Sequence, residues 1–289
     1  MTDPEPTRPV LPDETHLGRA ALAVPDLGAA TDFYSTVVGL AVLERSQERA
    51  VLGVEDRPLV VLEATTDERT ADAAGLYHIA VRVPSRGALG DALARVREDW
   101  HLDGASDHRV SEALYLTDPA GNGVEIYRDY PRDAWPRAAD GTVEMATDPL
   151  DLEALDAAAT GADGADRAPS GTDLGHVHLE VTSLPAFREC YVETFGFEVQ
   201  AEVRGAAFVG AGGYHHHVGA NVWNHRREPA GGRGLAWFEV VLPGADALDA
   251  LRDRLWSRET DVGETDDGFA VADPDGVEIR FRAGPPRVE

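Results

Sequence analysis

Two short predicted strands carry side chains that could bind a metal ion. In the segment HIAVRV, strand alternation puts His78 and Ala80 on one face and the aliphatic residues on the other. In VEIY, the same alternation puts Glu125 and Tyr127 on one face. An imidazole and a carboxylate that face a common cavity are two ligands for a divalent ion that accepts nitrogen and oxygen donors. The alternative is a His–Glu pair that is solvated or simply hydrogen-bonded.

The stretch that leads to Glu125, DHRVSEALYLTDPAGNGVEIY, contains further polar residues in a recognisable order. It resembles the signature of the type I extradiol dioxygenases of the catechol 2,3-dioxygenase kind, within the vicinal oxygen chelate superfamily (glyoxalase/bleomycin resistance/dioxygenase). That signature is a His, a short spacer, an aliphatic–Tyr pair, an acid–Pro pair, a Gly and a Glu. The matching residues here are His108, Leu114-Tyr115, Asp118-Pro119, Gly121 and Glu125.

The resemblance implies a role for each matching residue. His78 and Glu125 would be metal ligands, His108 would be an acid/base near dioxygen, and Tyr115 would hydrogen-bond a substrate hydroxyl. The implied metal is Fe(II), with Mn(II) or another divalent ion as the alternative. Two imidazoles and one carboxylate leave open positions for a bidentate catecholate and O₂, and an imidazole exchanges protons near neutral pH.

The second imidazole ligand is harder to assign. The family expects it on the opening strand of the partner unit, at the position aligned with His78, which in the first unit is Arg19. A guanidinium cannot ligate a cation, and the nearest histidine is His16. Simple alternation puts His16 on the other face from Arg19, so it needs a bulge to serve as a ligand. The alternative is a surface histidine at the start of a strand.

The second half of the chain contains its own histidines, and they are competing metal candidates. His176 aligns with His78, and the counterparts of His108 and Tyr115 are Gly263 and Ala270. The dioxygenase signature is therefore present in the first half only. The candidate ligands of the second half are His176, His178, His216 and His217. The alternative for the run His215–His217 is a set of core histidines that hydrogen-bond the backbone.

An internal repeat predicts the fold. The segments LGRAALAV and LGHVHLEV, at Leu17 and Leu174, each lead to a Tyr and a Gly at matched intervals, and GLYHIAVRVP and GLAWFEVVLP open two further units. We therefore expect an α+β protein of four βαβββ units, which form two paired-unit domains with curved mixed sheets. The tryptophans of the second half, Trp223, Trp237 and Trp256, are expected in the core, with an aromatic platform for a substrate as the alternative.

The order of the units predicts the domain boundaries. Residues 14–139 would form the first domain, with two units and the active site, and residues 173–284 the second. The intervening segment 140–172 is rich in Ala, Gly and Asp, as linkers are. Within it, Asp148-Pro149 is expected to cap a short helix.

The composition excludes several classes of function. The formal net charge is −26, and all the basic residues are arginines, so nucleic acid and membranes are not expected partners. Because the acidic residues are spread along the whole chain, we expect a halophilic, salt-adapted surface rather than one functional patch. The single cysteine, Cys190, excludes an intramolecular disulfide and favours a cytoplasmic location.

Together these features predict a metal-dependent extradiol dioxygenase of aromatic catabolism, with a small aromatic substrate and O₂ as partners. Two alternatives remain open: a glyoxalase-type isomerase or lyase, and a non-enzymatic resistance-type protein that binds a small molecule. The sequence also leaves open whether the chain forms a homo-oligomer.

Overall fold

The computed structural model describes residues 10–161 and 165–284. They form four units, each with a strand, a helix and three more strands, which confirms the predicted α+β fold class. The first unit contains β1 (His16–Val24), α1 (Leu27–Thr36), β2 (Ala41–Arg45), β3 (Arg49–Val54) and β4 (Arg57–Ala64). The second contains β5 (Gly75–Arg82), α2 (Arg86–Asp99), β6 (Gly104–Asp107), β7 (Ser111–Thr117) and β8 (Gly123–Asp129).

The connecting segment carries a 3-10 turn (Arg132–Ala134), β9 (Asp148–Pro149) and α3 (Leu152–Asp156). The third unit contains β10 (Asp173–Glu180), α4 (Leu184–Arg188) with a π-helical extension (Glu189–Phe195), β11 (Glu198–Val203), β12 (Ala206–Gly210) and β13 (Val218–Asn221). The fourth contains β14 (Gly234–Pro243), α5 (Ala245–Ser257), β15 (Gly263–Thr265), β16 (Gly268–Ala272) and β17 (Glu278–Gly284). In the described chain, no helix combines the length and apolar character needed to cross a bilayer.

The first helix of three units starts at the same kind of cap. The side chains of Asp26, Ser85 and Ser183 each accept a hydrogen bond from the backbone amide three residues later. Such a cap satisfies one of the free amides of the first turn. The cap at Ser85 sets the start of α2 at Arg86.

The connecting segment differs from its prediction. Asp148 and Pro149 form the short strand β9, which pairs with β6, and they do not cap a helix. Asp151 is the cap, because its side chain accepts from the amides of Glu153 and Ala154. The middle of the predicted linker, residues 162–164, lies outside the described residues.

The sheets pair the units in an order that the repeat did not predict. One sheet has the order β15-β16-β17-β14-β1-β4-β3-β2 and therefore joins units one and four. The other has the order β11-β12-β13-β10-β5-β8-β7-β6-β9 and joins units two and three. The expectation that the two units of each half share a sheet is corrected, since each sheet contains strands from both halves.

Two partly buried ion pairs mark the junctions between the units. At the junction of β5 with β10, Arg82 donates to both carboxylate oxygens of Asp173, at 3.2 and 3.0 Å. At the junction of β1 with β14, the Nε of Arg19 lies 2.9 and 3.0 Å from the carboxylate oxygens of Glu239. All four strands have an aliphatic face, so alternation alone does not select a partner. The Arg82–Asp173 pair is specific to the pairing of β5 with β10, and the Arg19–Glu239 pair is specific to the pairing of β1 with β14.

A second recurring contact joins the units within each half. The hydroxyl of Tyr34 in unit one donates to Asp118 in unit two at 3.3 Å, and Tyr191 donates to Asp273 at 3.1 Å. Each aspartate begins a DP-x-G turn and also accepts from two backbone amides of that turn. The DP-x-G motif therefore has a structural role in both halves.

Candidate metal centre

Three neighbouring strands of the second sheet bring together two histidines and a glutamate. Ala80 of β5 is in register with Glu125 of β8 on one side and with His176 of β10 on the other. His78 lies two residues before Ala80 on the same face of β5. Because Ala80 has only a methyl group, it leaves room above the sheet for the three larger side chains.

The three donor atoms lie within contact of one another. The Nε2 of His78 is 3.0 Å from the Oε2 of Glu125, and the Nε2 of His176 is 3.3 Å from the same oxygen. The two Nε2 atoms are also 3.3 Å apart. All three residues are buried, and they form the group of potential metal ligands found in the described part of the chain.

This geometry fits a divalent metal ion. Bonds of about 2.0–2.2 Å to nitrogen and oxygen ligands put adjacent ligands of an octahedral ion about 2.8–3.1 Å apart, close to the observed separations. Two imidazoles and one carboxylate on one triangular face are the donor set of mononuclear non-haem iron sites. The buried Nδ1 of His176 has no hydrogen-bond partner among the described residues, so that ring is held by its Nε2 side and by packing.

The protonation states of the cluster suit metal binding. Burial alone would raise the pKa of the Glu125 carboxyl, but charge and hydrogen bonds from His176 and His78 outweigh it and hold that pKa well below its usual range. Burial lowers the pKa of His176 to about 4, against the opposing effect of Glu125. At neutral pH the cluster therefore offers a carboxylate and a neutral imidazole, the forms that ligate metals.

The signature histidine, His108, forms a pair with the signature tyrosine, Tyr115. The Nδ1 of His108 donates to the carbonyl of Ala146 at 2.6 Å, and this assigns the lone pair to its Nε2. That Nε2 is 2.6 Å from the hydroxyl of Tyr115. Burial, followed by the charge of Glu125, raises the pKa of Tyr115 well above its usual range, so its hydroxyl remains a donor.

The ligands and this pair share one cavity of about 550 Å³. One wall carries His108 and Tyr115 together with Ser106 and Ser111. The connecting segment contributes residues 145–147 to the same wall. The opposite wall is mostly aromatic and contains Tyr77, His178, Phe208, His216 and Trp223.

His16, the nearest candidate from the sequence for the third ligand, is not part of this cluster. It lies on β1 in the other sheet, and its Nδ1 is 3.0 Å from the carbonyl of Glu14. The reason is the pairing of the units: the partner of unit two is unit three. In unit three the position aligned with His78 is occupied by His176, which the repeat had already identified as its counterpart.

The other second-half candidates have different surroundings. His178 faces the cavity, and its Nε2 is 3.2 Å from the side-chain amide of Asn221. His216 also lines the cavity and pairs through Nδ1 with the Nδ1 of His215 at 2.8 Å. His217 is in the core, where its Nδ1 accepts from the amide of Ala211 at 3.2 Å. The group of converging ligands includes none of the three.

The three tryptophans of the second half do not all lie in the core, so that prediction is corrected. Trp237 is buried as expected, but Trp223 and Trp256 are 45% and 57% exposed. Trp223 lines the cavity. Trp223 follows the end of β13, where the alternation of polar and apolar residues stops. The sequence pattern therefore could not distinguish a core residue from a residue at the cavity mouth.

A fourth protein ligand is missing for a structural reason. In the repeat, His178 of β10 aligns with Ala80 of β5. The residue in register with Ala80 on β8 is Glu125. The residue in register with His178 on β13 is Gly219. The position equivalent to Glu125 therefore has no side chain. A Cβ at Gly219 would lie 3.1–3.2 Å from ring atoms of His178. The site is consequently open on the side that faces the cavity.

The equivalent positions in the other sheet have lost this chemistry. The residues that align with His78 and His176 are Trp237 and Arg19, and Arg280 occupies the place of Glu125. The guanidinium carbons of Arg280 and Arg19 lie 4.0 and 5.7 Å from the centre of the Trp237 ring. This arrangement is a cation–π stack and contains no donor for a metal ion.

Comparison with known proteins identifies the family. Residues 16–126 and 173–281 each match the Glyoxalase/Bleomycin resistance protein/Dioxygenase superfamily. The chain belongs to this superfamily, which confirms the resemblance inferred from its sequence.

Individual relatives give further detail. A catechol-2,3-dioxygenase of Bacillus subtilis (strain 168) is 39% identical over 281 residues, which are 93% of this chain and 98% of the relative. A trivalent organoarsenical cleaving enzyme of Thermomonospora curvata is 30% identical over 114 residues, 37% of this chain and 73% of the relative. Glyoxalase I from Zea mays shares the fold, with a TM-score of 0.57 and 14% identity over 92% of each chain.

Proposed function

We propose that this protein is an Fe(II)-dependent extradiol dioxygenase that cleaves the ring of a catechol beside one of its two hydroxyl-bearing carbons. The observation that carries the proposal is the face formed by His78, Glu125 and His176, which opens into the same cavity as the His108–Tyr115 pair. The similarity to a catechol-2,3-dioxygenase over almost the whole chain supports it. Mn(II) is the alternative metal for the same ligands.

The open side of the site suits a two-point ligand. When bound, Fe(II) supplies adjacent coordination positions for both catechol oxygens and for O₂. Because Gly219 leaves the fourth protein position empty, no side chain of the equivalent strand competes with the substrate. The reaction consumes one catechol and one O₂, and both oxygen atoms remain in the ring-opened product, so no external reductant is needed.

His108 is suited to move the proton. Its Nδ1 is fixed by the carbonyl of Ala146, so its Nε2 carries the lone pair, which can accept a proton from a catechol hydroxyl and return it later once the Tyr115 hydroxyl donates to the substrate instead. Tyr115 keeps its proton, and its hydroxyl can donate either to this Nε2 or to a substrate oxygen. The two residues together orient the substrate and hold the proton within the cavity.

Oxygen uptake by the loaded enzyme tests the proposal. Protein purified without oxygen is supplied with Fe(II) and catechol at high salt, and both O₂ consumption and the yellow ring-fission product are recorded. We expect uptake with a yellow product, and loss of both in Glu125→Ala. His101→Ala is the matched control, because the side chain of His101 is 85% exposed. This variant should retain activity.

Two other outcomes would contradict the proposal. Stoichiometric metal without oxygen uptake would favour an isomerase or lyase of the glyoxalase kind. Failure to bind any divalent metal would favour a non-enzymatic protein that binds a small molecule.

We also propose that the surface is salt-adapted, because the net charge of −26 is carried without a single lysine.

A further inference from the structure

We propose that the substrate is a catechol with an apolar substituent, aryl or alkyl, which lies against Tyr77 and Trp223 at the cavity mouth, and that catechols with a carboxylate substituent are disfavoured. This inference rests on the proposed function and specifies its substrate class. It makes Tyr77, Trp223 and their neighbour Val203 the residues that determine specificity.

Exposed apolar side chains are concentrated at this mouth. Tyr77, Val203 and Trp223 are 38%, 51% and 45% exposed. They are three of the seven large hydrophobic residues that are exposed in the described chain, and all three line the one cavity. Clustered apolar surface that continues into a cavity is typical of a ligand site.

The aromatic wall begins at a metal ligand and runs outward. The ring of Tyr77 is centred 5.3 Å from the ring of the ligand His78 and 5.5 Å from Trp223. His178 also lines the cavity, with its ring centred 5.1 Å from Tyr77 and 5.6 Å from Trp223. A catechol whose oxygens bind at the metal therefore has this wall beside it, and a substituent that points to the mouth contacts Tyr77 and Trp223.

A carboxylate substituent would find no partner here. In the part of the chain that the structure describes, the side chains that line the cavity include no arginine, and their one carboxylate is Glu125. The nearby arginines Arg69 and Arg226 do not line the cavity, and each lies 2.9 Å from a carboxylate oxygen of Glu180, which offsets one of their two charges. An anionic group that loses water without a counterion is unfavourable, and the net charge of −26 adds long-range repulsion.

The experiment compares two substituents of equal size and different charge. The full-length protein is loaded with Fe(II) without oxygen, and isobutyl-substituted catechols are compared with dihydroxyphenylacetates, each with the substituent at ring position 3 or 4. Two quantities are measured, kcat/KM with O₂ and the anaerobic dissociation constant without it. We expect the isobutyl compound to be preferred by about tenfold or more at one or both positions.

Equal use of the two substituents, or preference for the carboxylate, would overturn this inference while leaving ring cleavage intact. Failure of every catechol, unsubstituted catechol included, to bind or react would instead contradict the proposed function, on which the inference depends. The two failures are therefore distinguishable in one series.

Variants at the mouth identify the residues responsible. In Trp223→Ala, the ratio of kcat/KM for isobutylcatechol to that for catechol should fall about 3- to 10-fold, with a matching rise in the anaerobic dissociation constant. Trp256→Ala removes an exposed tryptophan of α5 and should leave the ratio as it is. An unchanged ratio in Trp223→Ala would contradict the assignment.

A charge introduced at the mouth should weaken the preference. Val203→Arg places a cation beside the cavity, and the use of dihydroxyphenylacetate relative to isobutylcatechol should rise about two- to fivefold. Val42→Arg, on the remote edge strand β2, carries the same added charge and should not change the ratio. An equal rise in both variants would indicate a global charge effect and would count against the proposed site.

Discussion

The Nε2 atoms of His78 and His176 lie 3.3 Å apart, although 98 positions separate the two residues in the chain. They meet because β5 of the first half and β10 of the second half are neighbours in one sheet. The candidate metal centre is consequently built from both halves of the chain. Neither half alone contains the three converging ligands.

Replacement of His176 should abolish metal binding. His176→Ala removes one of the three donors and leaves Glu125 with one imidazole neighbour. Loss of a group that only hydrogen-bonds to a metal ligand weakens metal affinity about 10- to 100-fold. Loss of the ligand itself should therefore weaken metal affinity by more than about 100-fold. Bound iron per chain, measured after anaerobic loading and gel filtration, checks the prediction.

His16→Ala is the matched control for this variant. His16 lies in the other sheet and contacts the carbonyl of Glu14, so the variant should retain the full iron content. Loss of iron in His16→Ala together with retention in His176→Ala would contradict the assignment of the third ligand.

Removal of the candidate acid/base should separate metal binding from turnover. In His108→Ala the ligands are untouched, so iron content should equal that of the wild type. Without the imidazole, proton transfer should slow and kcat should fall about 10²- to 10⁴-fold. A fall in the rate of oxygen uptake at normal iron content would agree with this role, whereas wild-type turnover would exclude it.

Much of the site could be predicted from a local stretch of sequence. His108, Tyr115 and Glu125 belong to one motif, and the alternation of β5 correctly put His78 on the cavity face. His78, Glu125 and Tyr115 lie on the neighbouring strands β5, β8 and β7 of one βαβββ unit, and His108 lies in the turn between β6 and β7. Their arrangement therefore follows from short-range order.

The third ligand and the sheet pairing could not be predicted in the same way. The repeat shows that His176 corresponds to His78, but it does not show which of three other units lies beside unit two. That choice depends on contacts between distant residues, such as Arg82 with Asp173. Trp223 is a similar case, because residue type alone does not distinguish core from cavity mouth.

Arg19 should be important for stability and irrelevant to metal binding. It pairs with Glu239, whose side chain is 1% exposed. Arg19→Met leaves this buried carboxylate with the weaker contact from Arg282 at 3.3 Å, so the free energy of unfolding should fall by about 3 kcal/mol. Urea unfolding measures the loss, and the iron content should not change.

The ion pair of Arg188 with Glu202 is a suitable comparison, because both side chains are 45% exposed. Arg188→Met should alter the free energy of unfolding by less than about 1 kcal/mol. A loss in Arg19→Met that is no larger than this would show that the pairing of β1 with β14 does not depend on that contact.

The acidic surface should make stability depend on salt. With a net charge of −26, repulsion among carboxylates opposes the compact state, and the Debye length shrinks from about 10 Å at 0.1 M salt to about 3 Å at 1 M. The midpoint of thermal unfolding should therefore rise between 0.1 and 2 M KCl. A midpoint that is constant or falls over this range would contradict salt adaptation, and a series in sucrose controls for the general effect of cosolutes.

The buried histidines should make the metal-free protein sensitive to acid. Burial lowers the pKa of His176 from 6.5 to about 4, and it also holds the pKa values of His178, His216 and His217 well below 6.5. Below pH 6.5 the unfolded chain takes up protons that the folded chain does not, so the free energy of unfolding falls as the pH falls. This stabilising effect is complete above about pH 6.5 and, for His176, is lost progressively down to about pH 4.

The slope of this dependence can be assigned to single residues. Each histidine that must remain neutral contributes about 1.4 kcal/mol per pH unit to the slope below pH 6.5. Urea unfolding in the presence of a chelator should therefore show a shallower slope in His217→Asn, by about that amount, because an asparagine oxygen can still accept from the amide of Ala211. The exposed-site variant His101→Asn should keep the wild-type slope. A slope in His217→Asn equal to that of the wild type would mean that His217 takes up its proton in the folded state.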